Sequence, residues 1–251
     1  MIDTPREARI LNAVVSLVDS LLDNFDIVEL LTDLTERCAT LLDVEAAGLL
    51  LADPRQRLHL MAATSQGSHE VELFQLQTDE GPCLDCFADG HPVSVPDLAA
   101  EQQRWPRFAP AVAQAGFASV HAIPMRAANT VLGALGLFGT HAGKLDDADL
   151  LIAQALAHIA CVAILQEHAP TQSSVLPQLR TALTSRVVVD QAIGILSERV
   201  GVPVEDAFGL LRRYAHVQGQ HLTEVSRRLV SEPDAREQIL DGIRGTLDSW
   251  R

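Results

Sequence analysis

The sequence predicts an α+β domain, an antiparallel sheet flanked by helices, followed by a small all-α module of three helices. Three observations carry this. Strand-like stretches come in pairs split by a helical insert, rather than alternating with helices as a parallel sheet requires. An apolar helical pattern over 145–169 closes that part of the chain, and the polar, proline-punctuated run PTQSSVLPQ (170–178) follows it. Beyond that run only helical periodicity remains, interrupted at Gly201 and Pro233.

The elements follow in order. REARILNAVVSLVDSLL has apolar residues at Ile10, Leu11, Val14, Val15, Val18, Leu21 and Leu22, a helical stripe wide enough to meet a second copy of itself. Residues 1–24 are therefore expected to form a dimerisation helix. Asp26 caps a second helix striped at Leu30, Leu34, Cys38 and Leu41. AAGLLLAD (46–53) and LHLMAATS (58–65) form a hairpin around Pro54-Arg55, and residues 66–80 show no regular pattern. GPCLDCFADG holds a short helix from about Pro82 to Gly90. PVSVPDL (92–98) is an edge strand, because Pro96 has no N–H to donate to a ladder.

A helix is expected over 104–116, closed by Gly116, and ASVHAIPMR (118–126) then pairs with TVLGALGLFGT (130–140). The helix over 145–169 opens with acids, as its dipole favours. After a linker at 170–177, helices are expected over about 178–199, 204–217 and 221–231. The domains are thus 25–169 and 178–232, with a weakly amphipathic tail, a potential fourth helix, over 233–251.

At 47% hydrophobic and 21% charged residues, the chain has the balance of a packed protein rather than a disordered one. No apolar run approaches the ~20 residues that cross a bilayer, and MIDTPREARI lacks the basic-then-apolar order of a secretory signal. A cytoplasmic protein without a membrane partner is expected, with Cys38, Cys83, Cys86 and Cys161 as reduced thiols. The net charge of -14 argues against nucleic acid only on average. Residues 1–176 carry 9 Lys+Arg against 23 Asp+Glu, whereas 177–232 carry 7 arginines (Arg180, Arg186, Arg199, Arg212, Arg213, Arg227, Arg228) against 6 acids. Arginine's planar fork suits phosphates and bases. A preference for arginine over lysine is equally a mark of GC-rich coding, and Lys144 is the only lysine of the chain.

LRTALTSRVVVDQAIGILSERVGVPVEDAFGLLRRYAHVQGQHLTEVSRRLV (179–230) closely resembles the ANTAR domain of transcription antitermination regulators. The positions that carry the likeness are Leu183, Ser185-Arg186, Gln191-Ala192, Gly194, Leu196, Ala207-Phe208, Leu211-Arg212, Ala215, Leu222 and Val225. The resemblance implies a dimer that binds paired RNA hairpins in leader transcripts and so blocks a terminator. Arg186, Gln191, Arg212, Arg213, Arg227 and Arg228 are the RNA-contact candidates. Each arginine also has an ordinary role available, and Arg186 stands four residues before Asp190, the spacing of a helical ion pair. Ala192 and Gly194 suggest closely approaching helices. Two positions depart from the family pattern: Ile193 replaces the lysine of an AKG triplet, and Ser197 a methionine.

GPCLDCFADGHPVSVPDL, RWPRFAPAVAQAGFASV and PMRAANTVLGALGLF, with the order of elements, resemble a GAF domain over about 25–168. That resemblance implies a sensor for a small molecule or redox state, and GAF followed by ANTAR implies a signal-controlled antiterminator, not an enzyme. The candidate sensing residues are Cys83, Cys86, Phe87 and His121. Cys83 would lie in the first turn of a helix, where a thiolate is stabilised; the cysteines serve equally well as small buried hydrophobes. His121 is a candidate axial ligand or a plain core histidine; no metal site is indicated, and the sequence does not name a cofactor or ligand. Two other functions stay open: a cysteine-dependent free methionine sulfoxide reductase of the GAF type, and a dimeric scaffold that does not bind RNA.

Overall fold

The computed structural model describes residues 5–22, 25–127, 130–166 and 175–248. These fall into two compact units, one within Met1–Asn24 and Leu30–Arg180, the other within Phe25–Glu29 and Thr181–Arg251. Most of the expected linker, 170–174, lies outside the described residues.

The first unit is built on β1 (Ala46–Ala52), β2 (Leu58–Ala63), β3 (Val93–Val95), β4 (Ser119–Ala127) and β5 (Thr130–Gly139). They form one sheet in the order β2-β1-β5-β4-β3, every neighbouring pair antiparallel. Its helices are α1 (Arg6–Leu22), the run of α2 (Ile27–Leu41) from Leu30 on, α3 (Gln66–Thr78), α4 (Pro82–Asp89), α5 (Phe108–Gln114) and α6 (Asp147–Gln166). Asp26 does cap α2, its Oδ1 accepting from the N–H groups of Val28 (3.0 Å) and Glu29 (3.1 Å). Helix α3 packs on β1 and β2, α4 on β3, β4 and β5, and α6 on β4. Helix α1 lies along α6 with Ala13 and Leu17 buried.

Two expectations about the insert are corrected. Residues 66–80, read as irregular, hold α3, which starts at a reciprocal cap: Ser65 Oγ accepts from Ser68 N (3.1 Å) while Ser68 Oγ accepts from Ser65 N (3.1 Å). The inward stripe of α3 includes Ser68, Glu72 and Gln75, polar residues that erase the apolar periodicity by which helices are recognised. The helix expected over 104–116 is shorter, Phe108–Gln114, and a 3₁₀ turn over Leu98–Glu101 precedes it. The hairpin turn also owes more to Asp53 than to Pro54-Arg55, since Asp53 Oδ1 accepts from Arg55 N (2.8 Å) and Arg57 N (3.0 Å).

Against the expectation that no apolar run is long enough, Asp147–Leu165 of α6 has the length and mean hydropathy (2.0) of a membrane span. Ala153, Leu156, Ala157, Ala160, Ala163 and Ile164 are nonetheless buried inside the unit, so this helix has core to fill.

The second unit contains the run of α7 (Val175–Val200) from Thr181 on, with α8 (Val204–Val217), α9 (Leu222–Ser231) and α10 (Pro233–Asp248). Gly201 (φ 75°) and Gly219 (φ 61°) take the left-handed conformation just past α7 and α8, where a side chain is disfavoured. Leu196, Leu211, Leu222, Val225, Leu229, Leu240 and Ile243 fill the core. The Arg236 guanidinium donates to the carbonyls of Leu229 (2.7 Å) and Val230 (2.5 Å) and so ties α10 to the end of α9.

Of the two small residues expected at a close helix approach, Ala192 is fully buried and Gly194 is not part of a contact. Gly194 is exposed, and a Cβ built there meets nothing within 4 Å. The tight contact is at Gly242, where a Cβ would sit 2.6 Å from Tyr214 Cε2. Ile193, standing in for the family's lysine, is buried at 6% exposure and contributes to the core.

These placements give two substitutions opposite signs. A Cβ at Gly133 would lie 2.0 Å from the Leu50 carbonyl oxygen, so Gly133→Ala should lower the urea stability of the first unit by about 2 kcal/mol. Gly194→Ala, in open space on a helix, should raise that of the second by about 0.5–1 kcal/mol.

Candidate functional site

The RNA-contact candidates are spread over three helices of the second unit. Arg186 and Gln191 stand on α7, Arg212 and Arg213 on α8, Arg227 and Arg228 on α9. None is buried. Arg186 pairs with Asp190 through both oxygens, Nη2 to Oδ1 at 3.0 Å and Nε to Oδ2 at 3.2 Å, which is the helical role its spacing suggested. Arg227 pairs with Glu224 one turn away. Arg228 donates to Gln220 Oε1 at 3.2 Å and lies 3.9 Å from the Glu232 carboxylate. Such exposed pairs contribute about 0–1 kcal/mol each, little enough that a phosphate can displace the carboxylate. Gln191 and Arg213 are exposed, and Arg213 lines a groove between α8 and α10. Arg199, exposed on α7 with no side-chain partner among the described residues, adds one cation that the motif did not select.

In the first unit the sensing candidates separate. Cys83 and Cys86 are buried on α4, and half-buried Phe87 packs on the same cluster with Leu50, Ala122 and Ala134. His121 is buried but does not join them. Its strand neighbour Ala122 packs with the cysteines, and side chains alternate along a strand, so His121 faces the other way. There its Nδ1 lies 2.8 Å from Ser94 Oγ, burial holds its pKa below the usual value, and it lines a cleft of about 350 Å³ with Ser119, His141 and Lys144.

The expected thiolate at the start of α4 is overturned by burial. Desolvation, followed by the nearby Glu72 carboxylate, pushes the Cys83 thiol well above its usual value, and burial pushes Cys86 up to about 12. Cys38 and Cys161, expected in the core, are buried and likewise pushed up to about 12.

What Cys83 faces is a group that sequence reasoning missed. Glu72 of α3 is fully buried. Its Oε2 accepts from Gln75 Nε2, and its Oε1 lies 3.7 Å from Cys83 Sγ. Gln75 Oε1 accepts in turn from the Cys83 N–H at 3.2 Å. Room for this cluster comes from Gly48 of β1 and Gly136 of β5, which are opposite each other in the ladder. A Cβ at either would lie 2.6 or 2.4 Å from Glu72 Oε1. Burial pushes the Glu72 carboxyl up to about 8, so it carries a proton at neutral pH. The signal that was available is a pair of glycines in facing strands, each a place where something approaches the sheet closely. Among the described residues, no group of three His, Cys, Asp or Glu side chains is arranged to hold a metal ion.

The Glu72 proton has a measurable consequence. Its folded pKa is raised, so the folded state binds the proton more tightly than the unfolded chain. The associated stability is complete below about pH 4.5 and is lost as pH rises through about 8. Cys83, the titratable group facing it, is pushed up further and stays protonated over that range. Between pH 5 and 9 the first unit should therefore lose on the order of 4 kcal/mol through Glu72. Glu72→Gln should flatten that slope in urea titrations; parallel slopes for the two proteins would contradict a buried proton.

Comparison with known proteins places these two units. Residues 26–165 match the model of the GAF domain, and residues 177–230 match the model of the ANTAR domain. The first unit is also similar to solved structures. A GAF domain from a phosphoenolpyruvate-protein phosphotransferase of Coxiella burnetii has a TM-score of 0.52 at 17% identity, covering 62% of this chain and 93% of its own. The corresponding domain from Acinetobacter has a TM-score of 0.50 at 15% identity, covering 64% and 96%. Free methionine-R-sulfoxide reductase from Neisseria meningitidis has a TM-score of 0.50 at 18% identity, covering 71% and 95%. At these identities the likeness is one of fold. No match was found among the curated proteins.

Proposed function

The chain belongs to the GAF domain family and carries an ANTAR domain after it, and from that premise we propose that it is a signal-responsive transcription antitermination regulator. In this reading the GAF domain senses a small molecule or redox state in the cytoplasm, and the ANTAR domain binds tandem hairpins in leader transcripts. The observation that carries it is the surface of the matched module. Arg186, Gln191, Arg212, Arg213, Arg227 and Arg228 all keep exposed or half-buried side chains on three packed helices, in a part of the chain freed from the acidic excess of the rest. Residues 1–176 repel non-specific nucleic acid and leave shaped targets attractive. The reductase alternative loses its chemical premise, since Cys83 and Cys86 are buried thiols held far above the pKa of a nucleophilic thiolate.

The working form is a homodimer. On α1, Leu11 (64% exposed), Val15 (57%), Val18 and Leu22 (78%) form an outward stripe at helical spacing, while Ala13 and Leu17 face α6. Helix α6 adds exposed Leu151 and Val162. Such a patch is paired away from water when a second copy covers it. Val15→Glu with Leu22→Glu should convert a dimer to a monomer in sedimentation at micromolar concentration. A wild-type chain that sediments as a monomer would refute this arrangement.

RNA binding is tested with a tandem-hairpin RNA from the leader preceding the protein's own gene, against a scrambled-loop control over a salt series. Specific binding should weaken steeply with salt. Arg212→Ala with Arg213→Ala should shallow the log–log slope by roughly 0.7–0.9 for each phosphate that these arginines neutralise. Equal affinity for the scrambled loop, or affinity indifferent to salt, would sink the proposal.

A further inference from the structure

The groove between α8 and α10 has a chemistry of its own. It measures about 80 Å³ and is lined by Arg213, Tyr214 and Val217 of α8, by Gln218 just past its end and by Gly242 of α10. Tyr214 is the only tyrosine of the chain. The backbone of Gly242 lies directly against its ring, so close that a Cβ there would stand 2.6 Å from Cε2. The Tyr214 hydroxyl and the Gln218 side-chain amide have no partner among the described residues, and Val217 at the rim is 72% exposed. Helix α10 lies beyond residues 177–230 matched by the ANTAR model, so the groove is made in part by a segment added to that module.

We infer that this groove receives a single unpaired nucleobase of the bound RNA, stacked on Tyr214 and hydrogen-bonded at its edge by Gln218. The inference rests on the RNA-binding function proposed above. An extruded base presents an apolar face for an aromatic ring, donors and acceptors along one edge, and a phosphate close behind. Each has its counterpart here. The Tyr214 ring supplies the stacking face, and the Gln218 amide offers a donor and an acceptor together, the combination that reads a base edge. Exposed Arg213, beside Arg212 and His216 on the same helix, supplies charge for the phosphate. The volume is well below the roughly 300 Å³ and more of sites for drug-sized ligands.

The test uses the full-length protein and the tandem-hairpin RNA, with 5-iodouridine placed at each loop position in turn, followed by irradiation and mapping of the crosslinked peptide. One loop position should crosslink to Tyr214. Stacking accounts for about 5- to 150-fold in affinity per base, so Tyr214→Leu should weaken hairpin binding by roughly 10-fold or more while Tyr214→Phe stays near wild type. Gln218→Ala, which alters no buried contact, should weaken binding several-fold and relax discrimination at the crosslinked position only; circular dichroism checks that each variant keeps its helices. Specific, salt-sensitive binding that Tyr214→Leu and Gln218→Ala leave unchanged, with crosslinks elsewhere, would overturn the base site and leave the RNA-binding function standing. Absence of hairpin binding by the wild-type protein at every salt concentration would overturn both.

Discussion

A carboxyl group buried against the middle of a sheet sets the terms for the first unit. Glu72 has no water around it, so it must hold its proton and be given hydrogen-bonding partners. Gln75 supplies the partner from one turn along α3, and Cys83 closes the cluster from α4. The strands answer with the paired glycines Gly48 and Gly136, because any side chain there would collide with the carboxyl. Four elements are therefore fixed with respect to one another by a single polar group. Placing α3 with its polar stripe inward also fixes where α4 begins, since Gln75 binds the backbone N–H of Cys83. A sensor core arranged in this way is sensitive to anything that changes the charge of one residue.

The second unit is governed by packing among small and branched residues, with its charges left outside. Leu196, Leu211, Val225 and Leu229 form the interior, and Ile193 joins them. The position where the family carries lysine is thus an interior one in this chain, and a lysine there would have to bring its ammonium group out of the core or leave it unpaired. The cations available to RNA lie instead on the outer faces of α7, α8 and α9; Arg186 and Arg227 rest against a carboxylate of their own helix, Arg228 near Glu232 just past its own, and Arg212 against Glu29 at 3.1 Å. Ion pairs of this kind are weak and leave the guanidinium groups free to exchange partners. Helix α10 adds a further surface, because glycine at 242 lets its backbone lie flat against Tyr214.

Patterns of apolar spacing and turn chemistry were enough to read the two-part architecture, the paired strands, the edge strand at Val93–Val95 and the helices of the C-terminal module. Those features depend on local rules: alternation along a strand, stripes along a helix, and glycine or proline at the ends. That the arginines of the module lie outside its core was legible for the same reason, since a charged residue on an amphipathic helix has only the outside to occupy. Helix α3 was not legible, because its buried face carries Ser68, Glu72 and Gln75, and polar residues signal an interior only when their partners are known. Those partners come from distant parts of the chain. The burial of Cys83, the separation of His121 from the cysteines and the contact of Gly242 with Tyr214 were likewise decided by the tertiary structure. Each joins residues that no sequence period relates, and the burial that sets their chemistry arises only when the elements pack.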